Sequence, residues 1–196
     1  MRFFNKLAIS LAFVALFYSP SRLCAGEPSS QLSTTINEFV NILVNTPVAE
    51  LRSKGLPARA QELVFSRFDF AEMTKRSLGR HWSALASADQ REFVSAFTQK
   101  LLVAYGRTVR TSGEERIQFQ NEVITGNDAT VKTKVVSNGD ELAIDYQLHA
   151  IDGQWKVYDM VIDHVSIVNN YRAQFDRVIA KSSVKELLQK MKQQDS

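Results

Sequence analysis

Tyr146 and Asp159 are the one pair of reactive side chains that strand counting brings together. Asp152-Gly153 sits between two alternating runs, the pattern of a two-residue hairpin loop. Counting outward from it sets Leu148 opposite Val157, Ile144 opposite Val161, and Tyr146 opposite Asp159 on an otherwise apolar face. A carboxyl there is costly unless hydrogen-bonded. Two readings follow. A carboxyl beside a phenol in a dry pocket resembles an isomerase site, and would make the chain a small cone-shaped α+β enzyme acting on an apolar substrate. Alternatively, Asp159 simply accepts a hydrogen bond from Tyr146 or from backbone where the strand meets a helix. The rest of the chemical inventory is thin. Asp163, His164 and Ser166 contain the residue types of a triad, but near-consecutive residues rarely point at one another. A corner in which Ser166 caps a helix is the simpler account. The three histidines, His81, His149 and His164, have no metal-ligand spacing, and there is no glycine-rich phosphate loop or G-x-S-x-G. No catalytic residue, metal or cofactor is expected.

The first 25 residues read as an address label. Arg2 and Lys6 precede an apolar run from Leu7 to Tyr18, and a small-residue exit follows at Cys24-Ala25-Gly26. That is the pattern of a secretory signal peptide, cleaved after Ala25 or Gly26. A lipoprotein in which Cys24 becomes the acylated first residue is the alternative, although Leu23 is not the small residue such a site prefers. Removing the leader takes away Arg2, Lys6 and Arg22, three of 24 basic residues, and leaves 21 against 21 acidic ones. The mature chain is then formally neutral, which removes the electrostatic case for nucleic acid. It also loses its single cysteine, and with it thiol catalysis and disulfides. Residues 26–196 suit one domain with one sizeable core, soluble in the periplasm.

The elements that must position these residues are read from period and caps. Leu32, Ile36, Phe39, Val40 and Leu43 recur at helical spacing until Pro47. Pro57 opens a second helix, Asp69 with Glu72 caps a third that closes at Gly79, and Ser87 with Gln90 opens the longest, to about Arg110. Phe93, Phe97, Leu101, Tyr105 and Val109 stripe that helix broadly enough for a core-facing role. A four-stranded antiparallel meander follows, ending at Ile162. Asn138-Gly139 makes one hairpin, pairing Val135 with Leu142 and Val131 with Tyr146. A three-residue loop, Gly126-Asn127-Asp128, makes another, pairing Val123 with Val131. One face is then apolar. The other, with Lys132, Asp145, Gln147 and His149 beside Tyr158 and Met160, is wet. Ser166 and Ser183 cap two closing helices. The order is α+β, an apolar sheet face covered by amphipathic helices. Whether that space is filled core or a ligand cavity stays open on pattern alone.

Several stretches resemble a known family. They are Phe68-Asp69-Phe70-Ala71-Glu72-Met73, Leu78-Gly79-Arg80-His81-Trp82, Gln90-Arg91-Glu92-Phe93 and Tyr105-Gly106. Gly153-Gln154-Trp155-Lys156-Val157-Tyr158-Asp159 and Val165-Ser166-Ile167-Val168-Asn169-Asn170-Tyr171-Arg172-Ala173-Gln174-Phe175 complete the set. In order and spacing they resemble the periplasmic phospholipid-binding proteins of the Mla pathway, also called toluene-tolerance proteins, and their hopanoid-associated relatives. Residues before Phe65 match loosely. The resemblance implies a monomeric carrier, not an enzyme, that encloses phospholipid tails and leaves the head group outside. It implies shuttling between an outer-membrane lipoprotein complex and an inner-membrane ABC transporter with an MCE-domain subunit, maintaining outer-membrane lipid asymmetry.

A carrier of that kind needs this composition. Two acyl chains hold about 30 methylenes, and exposing them to water costs about 24 kcal/mol. The tails must therefore be enclosed. Face assignment makes Phe97, Leu101, Tyr105, Ile144, Leu148, Val161, Val168 and Tyr171 the candidate tail-lining residues, with Arg172 as a head-group contact.

Overall fold

The computed structural model describes residues 27–106, 116–137 and 139–193. The signal-peptide expectation therefore lies outside the described residues, as do Asn138 and the end of the longest helix beyond Gly106. Helices α1 (Pro28–Val44), α2 (Val48–Lys54), α3 (Ala58–Arg67) and α4 (Phe70–Leu78) lead into a 3-10 turn (Gly79–Ala84) and α5 (Ser87–Gly106). Strands β1 (Arg116–Thr125), β2 (Asp128–Ser137), β3 (Asp140–Ile151), β4 (Gln154–Ile162) and β5 (Val165–Ser166) follow, then α6 (Ile167–Lys181) and α7 (Val184–Gln193). The architecture is α+β. All strands lie antiparallel in sequence order.

The helix starts are set by local chemistry. Asp69 accepts the Glu72 N–H, Ser166 the Asn169 N–H and Ser183 the Glu186 N–H, so three helices begin where a side-chain oxygen meets an orphan donor. Helix α1 has Pro28 in its first turn and no side-chain cap from its own flank. A carboxylate from the sheet does that work: Glu122 accepts the Ser29 N–H at 2.6 Å and also meets the Ser29 hydroxyl. Ser87 lies inside α5 and does not cap it; the Gln90 N–H goes to the Ala86 carbonyl, and the Gln90 side chain reaches back to the Trp82 carbonyl.

The sheet has five strands, not the expected four, because a tight corner at Asp163-His164, both with positive φ, returns Val165–Ser166 to the end of β4. The Asp152-Gly153 hairpin is as expected, with φ of 49° and 77°. Val135 faces Leu142, Val131 faces Tyr146 and Leu148 faces Val157. Two other registers differ from the expectation, one through a shorter loop and one through a bulge. The β1–β2 loop has two residues, Gly126 and Asn127, so Val123 pairs with Thr130 and is 51% exposed. A bulge between Phe119 and Asn121 then realigns the strand, so that Ile117 faces Val135. On β4, Tyr158 is an extra residue between the Leu148–Val157 and Gln147–Asp159 pairs. Beyond it Tyr146 faces Met160 and Ile144 faces Ile162, while Val161 faces Asp145. The predicted Tyr146–Asp159 and Ile144–Val161 pairs do not exist, and Met160 leaves the wet face.

The apolar groups form two clusters. Leu32 of α1 packs on Ala129, Val131, Tyr146, Leu148, Trp155 and Val157 of the sheet. Helices α4 to α7 build the other around Met73, Phe93, Phe97, Leu101, Tyr171 and Phe175. Phe68 and Met160 pack against both. Phe68 is fixed there by backbone: it bridges Val157, and the Asp69 N–H donates to the Val157 carbonyl at 2.8 Å. One residue upstream, Arg67 donates to the Trp155 carbonyl, Gln31 and Thr35, tying α3, α1 and β4 together.

Candidate functional site

The polar candidates are taken up by structure. Asp159, 7% exposed, accepts the Ser166 hydroxyl at 2.6 Å and the Val168 N–H at 3.0 Å. It anchors the start of α6, at the helix end that favours negative charge. Ser166 is thereby both donor to Asp159 and cap of α6, and His164 sits exposed in the corner, so no triad forms. His81 lies 2.9 Å from Asp176 and joins the 3-10 turn to α6. His149 lies 3.1 Å from Asp69, whose other oxygen caps α4, so one carboxylate joins a helix start to β3. The His149 ring is also edge-on to Tyr158, and Arg76 lies 4.0 Å over the opposite partner in that stack, the Tyr158 ring. Among the described residues no group of His, Cys, Asp or Glu is placed to hold a metal.

The predicted tail-lining residues divide between the two clusters. Phe97, Leu101, Val168 and Tyr171 are buried in the helical one, with Tyr105 packed against it. Phe97 is fully buried, its ring edge-on to Tyr171 at 4.9 Å and to Phe175 at 5.3 Å. Leu148 is buried in the sheet cluster and Ile144 packs against it. Val161 joins neither, because the Tyr158 bulge turns it to the face of Asp145. The Arg172 Nε–H donates to the Arg76 carbonyl at 2.8 Å, closing the C-terminal end of α4, and its side chain lies near Gly79. Gly79 has a φ of 53°, a conformation that favours glycine at this helix end.

The residues at the meeting of the clusters, Phe68 and Met160, were not among the predicted lining. Phe68 stands in a stretch noted for its resemblance, stacked on Phe70 at 5.8 Å, with Phe65 edge-on to Phe70 at 5.6 Å. Met160 carries no signal that counting without the bulge would reveal. Two hollows among the described residues sit against α7, one lined mainly by lysine, glutamate and glutamine side chains, the other by Leu85, Phe93, Val184 and Leu188 with charged neighbours. Neither touches a predicted lining residue. The sheet and helical clusters are in contact through Phe68 and Met160.

Tyrosine hydroxyls stand out in these apolar surroundings. Burial raises the pKa of Tyr105 and Tyr171, with Tyr105 adding to the effect on Tyr171. Tyr146 on β3 is pushed up to about 12 by burial alone. No described helix is long and apolar enough to cross a membrane.

Comparison with known proteins places these features. Residues 33–193 match the family model described as MlaC protein. No curated protein matches the chain. Among solved structures, a phospholipid-binding protein from Ralstonia solanacearum, determined in complex with a phospholipid, is similar with a TM-score of 0.74. It is 24% identical, and the similarity covers 86% of this chain and 97% of that one. At that identity the likeness is one of fold.

Proposed function

Because the chain belongs to the MlaC protein family, we propose that it is a phospholipid-binding transport protein and not an enzyme. It holds both tails between the sheet and the helices and leaves the head group in solvent. The observation that carries this reading is the division of the interior into two apolar clusters that meet at Phe68 and Met160. A protein with one continuous core would lose packing everywhere if parted. Two facing apolar surfaces can separate around hydrocarbon and exchange one apolar contact for another, so the exposure cost of about 0.8 kcal/mol per methylene is avoided. The solved Ralstonia protein of this fold, with its phospholipid, supports the same ligand class.

The leader pattern of the first 25 residues, the neutral charge of the chain without them and the family support a periplasmic location for the carrier. There it takes phospholipid between an outer-membrane lipoprotein complex and an inner-membrane ABC transporter with its MCE-domain subunit. The enzyme alternative loses its geometric premise, since Tyr146 and Asp159 are not cross-strand partners. Native mass spectrometry of the purified protein, followed by organic extraction, tests the binding claim. One diacyl phospholipid per chain is expected. A chain that emerges empty, and stays empty after incubation with phospholipid vesicles, would overturn it.

A further inference from the structure

Tyr146 is left without a role by the functions so far assigned. Its cross-strand neighbours are Val131 and Met160, and it is 7% exposed in the sheet cluster beside Leu148. Met160 packs against both clusters, so Tyr146 stands next to the line where they meet. No hydrogen bond among the described residues involves its hydroxyl, and burial is the sole influence on its ionisation. A buried phenol ordinarily finds a partner. Ser77 on α4 shows the other way an interior hydroxyl goes unpaired: its oxygen is sealed from solvent with no partner. The Tyr146 oxygen is unpaired but not sealed, so an atom from outside the protein can reach it.

The chemistry of that atom is constrained. A phenol that stays protonated throughout the physiological range is a donor, and its apolar surroundings favour a neutral acceptor over a charged one. On a diacyl phospholipid, the neutral acceptors that accompany the tails into an apolar space are the two ester carbonyls. The phosphate carries charge and belongs with the head group. We propose that Tyr146 donates a hydrogen bond to an ester carbonyl of the bound lipid, so that the protein selects acyl over alkyl linkage as well as enclosing hydrocarbon. This rests on the phospholipid-binding reading above.

The test offers the purified, delipidated protein an equal mixture of diacyl phosphatidylcholine and its dialkyl ether analogue with the same chain lengths, and reads bound lipid by native mass spectrometry. The protein is expected to take the diacyl form about three- to tenfold more, the range of one net hydrogen bond. Tyr146→Phe is expected to bind lipid with that ratio reduced to near one. Equal uptake of both lipids by the unaltered protein overturns the proposal without any variant, and so does a preference that persists in Tyr146→Phe. Failure of the unaltered protein to take either lipid overturns the binding reading itself, a distinct result.

Discussion

In the helical cluster Phe97 is fully buried between the edges of Tyr171 and Phe175, whereas on the sheet Ile144 is half-buried and Leu142, two residues earlier on β3, is 41% exposed. The helices are also fastened to one another at polar points, by Arg172 to the end of α4 and by His81 to Asp176. The described residues close the helical block. The sheet face is covered by α1 around Leu32 and meets the helical block at Phe68 and Met160, which leaves Leu142 exposed. The difference is one of access: the unpaired hydroxyl of the helical block, on Ser77, is sealed from solvent, while the sheet side keeps a partly open rim and the unsealed hydroxyl of Tyr146. A carrier needs that asymmetry, because a wall that holds its shape must stand opposite a surface that accepts cargo.

The largest expected effect breaks the sturdier side. Phe97→Ala should cost about 3–5 kcal/mol in urea unfolding, because a fully buried aromatic leaves a cavity. Ile144→Ala, at the half-buried rim, should cost less than half as much in the same measurement. Equal losses would mean that the two regions are packed alike.

A second, smaller effect isolates Tyr146. Its pKa is raised in the folded protein, so the unfolded chain releases this proton first as pH rises. The contribution is fully present below pH about 10 and is lost as pH rises toward about 12, an effect on the order of 2–3 kcal/mol. Denaturant titrations of the parent and Tyr146→Phe at pH 9 and pH 11 check the sign: the parent should lose more stability between those values than the variant. An identical pH dependence would remove Tyr146 from the interior.

The smallest quantity is a coupling expected to be near zero. Asp159→Asn should cost about 1.5–3 kcal/mol by weakening its bonds to Ser166 and Val168. Its double-mutant cycle with Tyr146→Phe should nevertheless close within about 0.5 kcal/mol, because the two are not partners. A coupling above about 1 kcal/mol would restore the dyad that strand counting suggests and would revive the enzyme reading.

Much of the fold was legible where a local rule carries its own mark. Asp69, Ser166 and Ser183 announce helix starts because a short polar side chain there meets an N–H three residues on. Asp152-Gly153 announces its hairpin because the turn needs φ > 0. Helix α2, of seven residues between Pro47 and Gly55, is too short for a period to show. Strand β5, with two residues, has no pattern at all. The site suffered most from the Tyr158 bulge, since a strand's faces alternate and one uncounted residue exchanges them. Phe97, Tyr171 and Leu148 lie in the interior where face assignment puts them, because helix periods and the hairpin side of β3 are unaffected by it. Val161 was misplaced and Met160 overlooked because both lie past it. Asp159 on β4 is not the partner of Tyr146; it accepts from Ser166 and the Val168 N–H, which is the alternative in which it bonds backbone where the strand meets a helix.

The Tyr158 bulge has a consequence for the history of the chain. A change in length inside a strand is usually ruinous, because everything beyond it turns inside out. At Tyr158 the ladder already carries a surplus residue between Val157 and Asp159. Removing Tyr158 would leave Asp159 opposite Gln147 and Met160 opposite Tyr146, so a shortening at that one point would not exchange the faces beyond it.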